Sequence, residues 1–366
     1  MDDTLGVGTA SAAPGERDDG WMAATPLPTG GDERLPVTVV NGADDGPVLW
    51  VTGGVHGDEA TGVAVAQDVA ATLGPLAGDL SGAVVVVPVV NPAGLRRNER
   101  TSYYGGDDPN RYFPDTEREG SRPPETQERI DSRLFEALTE SADLLVDCHT
   151  AQVASMPFVI RDRVLYGDAR TETEADALAE DVERLATALG LQVVTEYPAE
   201  EYVEQSLQRS TAGAALNTAG IPAVTAELGG HSVVEDDVRE AGVAGVVAAA
   251  VEFGLLDAAP EGVAAAGAGV PDAPVEYPVR RFVGPRVESA GLVRHRVAVG
   301  EAVEAGDAVA TVVTPHGDVA ETVESEHDGY VIGRAEGLAV WEGVPVASMA
   351  VRDDGDLVAP RDAGED

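Results

Sequence analysis

Apolar residues recur along this chain in two rhythms. Short, almost unbroken runs occur at Leu35–Val40, Pro47–Thr52, Ala83–Val90, Leu144–Cys148, Met156–Ile160 and Ile221–Leu228. Runs of this kind, without polar alternation, mark strands covered on both faces. Between them lie longer stretches whose apolar positions suit helices: Thr61–Leu73, Pro124–Glu140, Glu172–Leu189, Ser206–Ala219 and Glu235–Leu256. In the Glu172 stretch, Leu178, Val182, Leu185 and Leu189 fall on one side. Strands alternating with helices predict an α/β fold, with a mostly parallel or mixed sheet and flanking helices. Pro88, inside the third run, removes one donor from that strand's ladder.

After Leu256 the rhythm changes. Residues 257–275, rich in Ala, Gly and Pro, read as a linker. From 276 to 352, short Val-rich segments are punctuated by Gly284, Gly291, Gly300, Gly306, Gly317, Gly329 and Gly343, which predicts a small, barrel-like all-β domain. Residues 353–366 read as an acidic tail. Residues 1–256 form the larger domain, with 1–20 expected to be poorly ordered or a simple edge. From Ala93 to Pro123 there is little periodicity, and a loop of that length is functional or disordered. No internal repeat is visible.

Composition narrows the partners. The chain of 366 residues holds 65 acidic and 24 basic residues, for a net charge of −41, and every basic residue is Arg. Such a surface repels nucleic acid and anionic membranes. The charge is spread along the chain, which reads as adaptation to a salty cytoplasm where screening tolerates self-repulsion. The single Cys148 excludes an intramolecular disulfide and fits a reducing compartment. The start, Met1-Asp2-Asp3, lacks the basic and apolar regions of a signal peptide. The longest apolar stretch, Ala241 to Leu256, is broken by Glu252 and is too short to span a membrane. A cytoplasmic protein is expected.

Candidate chemistry sits at three strand ends, the place where open α/β sheets bind ligands. The second run stops at Gly53-Gly54-Val55-His56-Gly57-Asp58-Glu59, which sets an imidazole and a carboxylate on a strand-to-helix turn. Both suit Zn²⁺, and a catalytic zinc usually takes three protein ligands and leaves a place for water. A third donor ends another strand, at Asp147-Cys148-His149-Thr150. Alternation along a strand points Asp147 and His149 together and Cys148 away. Asp147 is therefore placed to orient an imidazole from behind. Glu227, in Thr225-Ala226-Glu227-Leu228-Gly229-Gly230, is a carboxylate in a strand apolar enough to make it costly. The loop adds Arg100 and Asn110-Arg111, whose planar forks suit a substrate carboxylate.

These segments occur in an order that resembles the succinylglutamate desuccinylase/aspartoacylase family, a branch of the zinc carboxypeptidase-like superfamily. The resemblance covers roughly residues 35 to 256, and the Gly-rich segment resembles the small β-domain that follows in that family. It implies that His56, Glu59 and His149 bind one Zn²⁺ and that Arg100, Asn110 and Arg111 hold the substrate. Glu227 would be the general base and acid, and Arg209 resembles a further substrate arginine. The implied activity is hydrolysis of the amide in an N-acyl amino acid or similar small carboxylate. Aspartate, glutamate, diaminobutyrate and other N-acyl substrates all stay open.

Two rival readings share some of these features. A metallocarboxypeptidase acting on peptides uses the same ligand logic, but the spacing between His56 and His149 is short for that branch. A non-catalytic binding or interaction role starts from the tail, whose Gly-punctuated strands resemble a lipoyl- or biotinyl-carrier barrel. Such carriers need an acceptor Lys, and this chain has none. The small domain is thus expected to be a lid or a homo-oligomer contact. Its His295, His316 and His327 read as surface residues, while His231, just after Gly230, lies within reach of the site.

Overall fold

The computed structural model describes residues 4–114, 123–167, 169–263 and 271–361. Among these residues twelve strands form one continuous sheet. In chain order its main members are β1 (Glu16–Pro26), β2 (Asp32–Asn41), β3 (Asp44–Gly53), β4 (Ser81–Val87), β5 (Leu144–Ala151) and β6 (Phe158–Arg161). They continue with β7 (Gln192–Thr195), β8 (Ala223–Gly230), β9 (Val279–Val283), β10 (Gly329–Arg334) and β11 (Ala347–Arg352). The two-residue strand Ala302–Val303 closes the edge beside β10, and the spatial order runs β10-β11-β9-β7-β6-β8-β5-β3-β4-β2-β1. The middle is largely parallel: β4, β3, β5 and β8 run the same way, while β6 is antiparallel to β8. Antiparallel pairs form both wings. The α/β expectation with a mixed sheet holds.

Four long helices cover the sheet: α1 (Ala60–Leu73), α2 (Thr126–Ser141), α3 (Glu172–Ala188) and α4 (Asp236–Glu252). α1 buries Val65, Ala66, Val69, Ala70 and Leu73, with the three- and four-residue spacing of one helical face. α3 starts at a capping box, with the Thr171 hydroxyl accepting from the Glu174 N–H while the Glu174 carboxylate accepts from the Thr171 N–H. No helix among the described residues is long and apolar enough to cross a membrane.

Several expected boundaries move for identifiable reasons. The third run ends at Val87, before Pro88, which has no N–H to donate. The stretch expected to be helical from Ser206 is broken into a 3₁₀ turn (Leu207–Arg209), one α turn (Thr211–Ala214) and a π turn (Ala215–Ala219). Ser210 is extended there and its hydroxyl caps the Gly213 N–H, so the helix restarts rather than continues. Near the start, Leu5–Val7 and Ala10–Ala12 pair as a ribbon, and β1 runs ten register positions against β2, so this segment is ordered sheet from Leu5 onward. Residues 1–3, part of the linker (264–270) and the end of the tail (362–366) lie outside the described residues. The described part of the tail adds Val358–Pro360 as a strand parallel to Val164–Tyr166.

The small C-terminal domain has a core of its own around Val309, Val312, Val331 and Met349. Its strands β9, β10 and β11 nevertheless extend the large sheet, and the buried ion pair Arg163–Asp353 at 3.1 Å joins the two parts.

Candidate active site

Two close approaches fix the turn that follows β3. A Cβ on Gly62, in the first turn of α1, would lie 2.5 Å from the Cys148 carbonyl oxygen, so only Gly lets the helix settle on β5. A Cβ on Gly57 would collide with the Gly94 backbone. Pinned on both sides, His56 and Glu59 face the carboxyl end of β5, which pairs in parallel with β3. The three expected metal donors converge there. His56 Nδ1 lies 2.7 Å from Glu59 Oε1, His149 Nδ1 lies 2.8 Å from Glu59 Oε2, and the two Nδ1 atoms are 3.2 Å apart. All three side chains are buried, and among the described residues no other group of three such donors comes together.

Two outer carboxylates set the orientation of these rings. Asp147 Oδ2 lies 2.8 Å from His149 Nε2, and its Oδ1 accepts from the Thr52 hydroxyl at 2.6 Å. Asp108 Oδ1 lies 2.9 Å from His56 Nε2 and also accepts the Asn110 N–H. With each Nε2–H donated to a carboxylate, both Nδ1 lone pairs aim at one point beside Glu59. Burial opposes charging either ring, yet the flanking carboxylates hold both imidazoles above the usual histidine range, His149 well above it. Burial likewise opposes an ionised Glu59, and the two rings overcome it and hold its carboxyl well below the usual range. Two imidazole nitrogens and a carboxylate aimed at one buried point, in a field that favours positive charge, fit a divalent cation. Cys148 points into apolar packing, where burial raises its thiol, and it takes no part.

Glu227 stands beside His149 in the parallel pairing of β8 with β5. Its Oε2 is buried with no hydrogen-bond partner, and burial raises its carboxyl above the usual glutamate range despite nearby His149. A carboxylate free of other duties and close to a metal site is fitted to move protons.

His56, Glu59, His149 and Glu227 line a cavity of about 390 Å³. Arg100, Asn110 and Arg111 line it as well. Arg100 bridges Glu59 at 3.4 Å and Asp108 at 3.1 Å. Asn110 spends its oxygen on the Thr211 N–H at 2.8 Å, and Arg111 donates only to the neighbouring Asn110 carbonyl. Arg209 does not line the cavity: its Nε donates to the Phe113 carbonyl, which makes it a brace for the loop. His231 does line it, 3.1 Å from Glu336.

Sequence reasoning missed Asp108, although the Asp-Pro at a turn start marks it as a cap. It also missed the contribution of the small domain, which lends Arg281, Glu336 and Ser348 to the cavity wall. Arg281 follows from the position of β9 beside β7, and no local motif announces it.

Comparison with known proteins agrees with this architecture. A family model described as the succinylglutamate desuccinylase/aspartoacylase catalytic domain matches residues 45–251. An N-alpha-acetyl-L-2,4-diaminobutyric acid deacetylase of Halomonas elongata is 26% identical over 336 residues, 88% of this chain and 89% of that protein. A succinylglutamate desuccinylase/aspartoacylase of Rhodobacter sphaeroides shares the fold with a TM-score of 0.72 at 24% identity, covering 92% of this chain and 96% of its own. The product-bound ectoine utilization protein EutE (DoeB) of Ruegeria pomeroyi does so with a TM-score of 0.71 at 22% identity, covering 92% and 95%. With more than half of its length matched by the family model, this chain belongs to the succinylglutamate desuccinylase/aspartoacylase family.

Proposed function

We propose that the protein is a zinc-dependent deacylase that hydrolyses the amide of an N-acyl amino acid. The observation that carries this reading is the meeting, in one buried cavity, of the His56–Glu59–His149 donor set with the unpartnered carboxylate of Glu227. His56, Glu59 and His149 would hold the zinc ion, which would supply Lewis acidity and a water of lowered pKa there. Glu227 takes the proton from the attacking water and returns it to the leaving amine, a role that burial suits by raising its affinity for protons. Arg111, with no ion pair among the described residues, receives the substrate's carboxylate, and Asn110 braces it through Thr211. Arg100, shared between Glu59 and Asp108, faces the reacting carbonyl and steadies the oxyanion. The Halomonas deacetylase makes N-acetyl-2,4-diaminobutyrate one candidate among N-acyl amino acids, and the net charge of −41 suggests work in concentrated salt.

The test is a screen of N-acetyl and N-succinyl amino acids at high salt, before and after chelation and zinc return, with Glu227→Gln beside the wild type. Activity should vanish with the metal and return with zinc. Glu227→Gln should keep its zinc and lose about 10²–10⁴-fold in kcat. Full turnover in a zinc-loaded Glu227→Gln protein would refute its role.

A further inference from the structure

The cavity has a second charged region. Phe158, Ile160 and Asp162 alternate along β6 and its extension, so all three face the cavity, while Arg161 turns to Glu183 on α3. On the neighbouring strand the Glu196 N–H donates to the Arg161 carbonyl at 2.9 Å. This continues the parallel register of Thr195 with Arg161 and sets Asp162 and Glu196 side by side at two strand ends. Like charges so placed are unfavourable. Glu196 is answered only loosely, by Arg281 at 3.4 Å. Asp162 is 4% exposed and makes no hydrogen bond or ion pair among the described residues. Burial together with Glu196 holds its carboxyl well above the usual aspartate range, although Arg111 and Arg281 oppose the shift. A buried carboxyl with no direct partner in a cavity wall is costly to ionise unless a cationic ligand answers it.

We infer that Asp162, with Glu196 beside it, is the subsite for an ammonium group on the substrate's side chain, so that the amino acid released carries a short cationic side chain. The inference rests on the deacylase reading and deepens it. Strand spacing of about 4.8 Å places β6 and β7 roughly 10–14 Å across the sheet from β5 and His149, room for a small amino acid with contacts at both ends. Arg111 and Arg281, on the same wall, answer the α-carboxylate, and the Nε of Arg281 has no partner. The wall as a whole then matches an amino acid with one carboxylate and one side-chain ammonium. A second carboxylate, as in aspartate or glutamate, would meet Asp162 and be repelled. A second metal ion is not the better occupant, since only the His56–Glu59–His149 group gathers three donors among the described residues.

The test compares kcat/KM of the zinc-loaded protein on three N-acetyl amino acids with similar side chains: 2,4-diaminobutyrate (cationic), norvaline (neutral) and glutamate (anionic). The wild type should prefer the cationic substrate over norvaline at least tenfold, with glutamate slowest. Asp162→Asn should bring the cation-to-neutral ratio below threefold, mainly through KM, and because the ratio is taken within one sample it is immune to partial loss of folded protein. Glu196→Gln should lower the ratio less. Equal rates on the cationic and neutral substrates in the wild type, or a ratio that survives in Asp162→Asn, would overturn the subsite. If the zinc-loaded wild type hydrolyses none of the three, the deacylase reading falls, and calorimetric binding of free 2,4-diaminobutyrate against norvaline decides the subsite. A preference lost in Asp162→Asn upholds it, and no preference overturns it.

Discussion

The two ends of the cavity handle buried charge in opposite ways. The three carboxylates that contact His56 and His149 are all answered: Glu59 by two rings, Asp147 by a ring and a hydroxyl, Asp108 by a ring and Arg100. Beside them Glu227 keeps an unpartnered oxygen. Across the sheet, Asp162 has no hydrogen bond or ion pair among the described residues, with Arg111 and Arg281 acting on it only from a distance, and Glu196 has one long contact. The difference teaches where specificity resides. A site for a resident ion is preorganised by the chain itself, since each outer hydrogen bond fixes a ligand before the ion arrives. A site for a passing substrate keeps a charge unmatched, so that only the right ligand completes it.

The largest effect should come from breaking the matched end. His149→Ala removes one donor and leaves Asp147 without its partner, so zinc retention is lost and activity falls on the order of 10³-fold or more. Metal analysis of the dialysed protein, together with the deacylase assay, checks it. A variant that still holds one zinc per chain would show that the third donor lies elsewhere.

A smaller effect sharpens the same end. Asp147→Asn and Asp108→Asn keep shape but weaken the hold on the Nε2–H of each ring, and zinc affinity should drop by about 10–100-fold. Asp147 should matter more, because it is fully buried whereas Asp108 is 32% exposed and screened. Competition with a chelator measures both. Equal, negligible shifts would show that packing alone orients the rings.

The matched end was legible in the sequence and the unmatched end was not. His56, Glu59 and His149 stand at the ends of apolar runs, where strand-end logic marks them, and alternation along β5 separates Asp147 and His149 from Cys148. Asp162 and Glu196 are two of 65 acidic residues, each just past a short strand, and nothing local distinguishes them. Their meaning depends on β6 and β7 being neighbours, a fact of topology. Arg281 was hidden for the same reason, because the Gly-punctuated segment reads as a separate barrel until β9 is seen to join the large sheet. Arg209, whose sequence context resembles a substrate arginine, lies off the cavity with its Nε on the Phe113 carbonyl.

The smallest effect tests whether an unanswered acid always implies a ligand. Asp131 in α2 is fully buried, and its Oδ2 has no partner, although Gln127 donates to Oδ1 at 2.8 Å. It does not line the cavity. Burial, reinforced by Glu128 and Asp108 and only partly relieved by Gln127, raises its carboxyl well above the usual range. A raised carboxyl keeps its proton in the folded state at a pH where the unfolded chain has released it. The folded state therefore loses stability as pH climbs above the unfolded value of about 4, and this loss is complete only above the folded one. Asp131→Asn keeps the bond from Gln127 and abolishes the titration. Its stability relative to wild type should rise with pH above pH 5 in denaturant melts, with a slope of at most about 1.4 kcal/mol per pH unit, and the cation-to-neutral substrate ratio should not change. A pH-independent difference would mean that Asp131 finds a partner when ionised. A shifted substrate ratio would mean that buried acids anywhere in the fold tune the cavity, and the contrast between its two ends would lose its force.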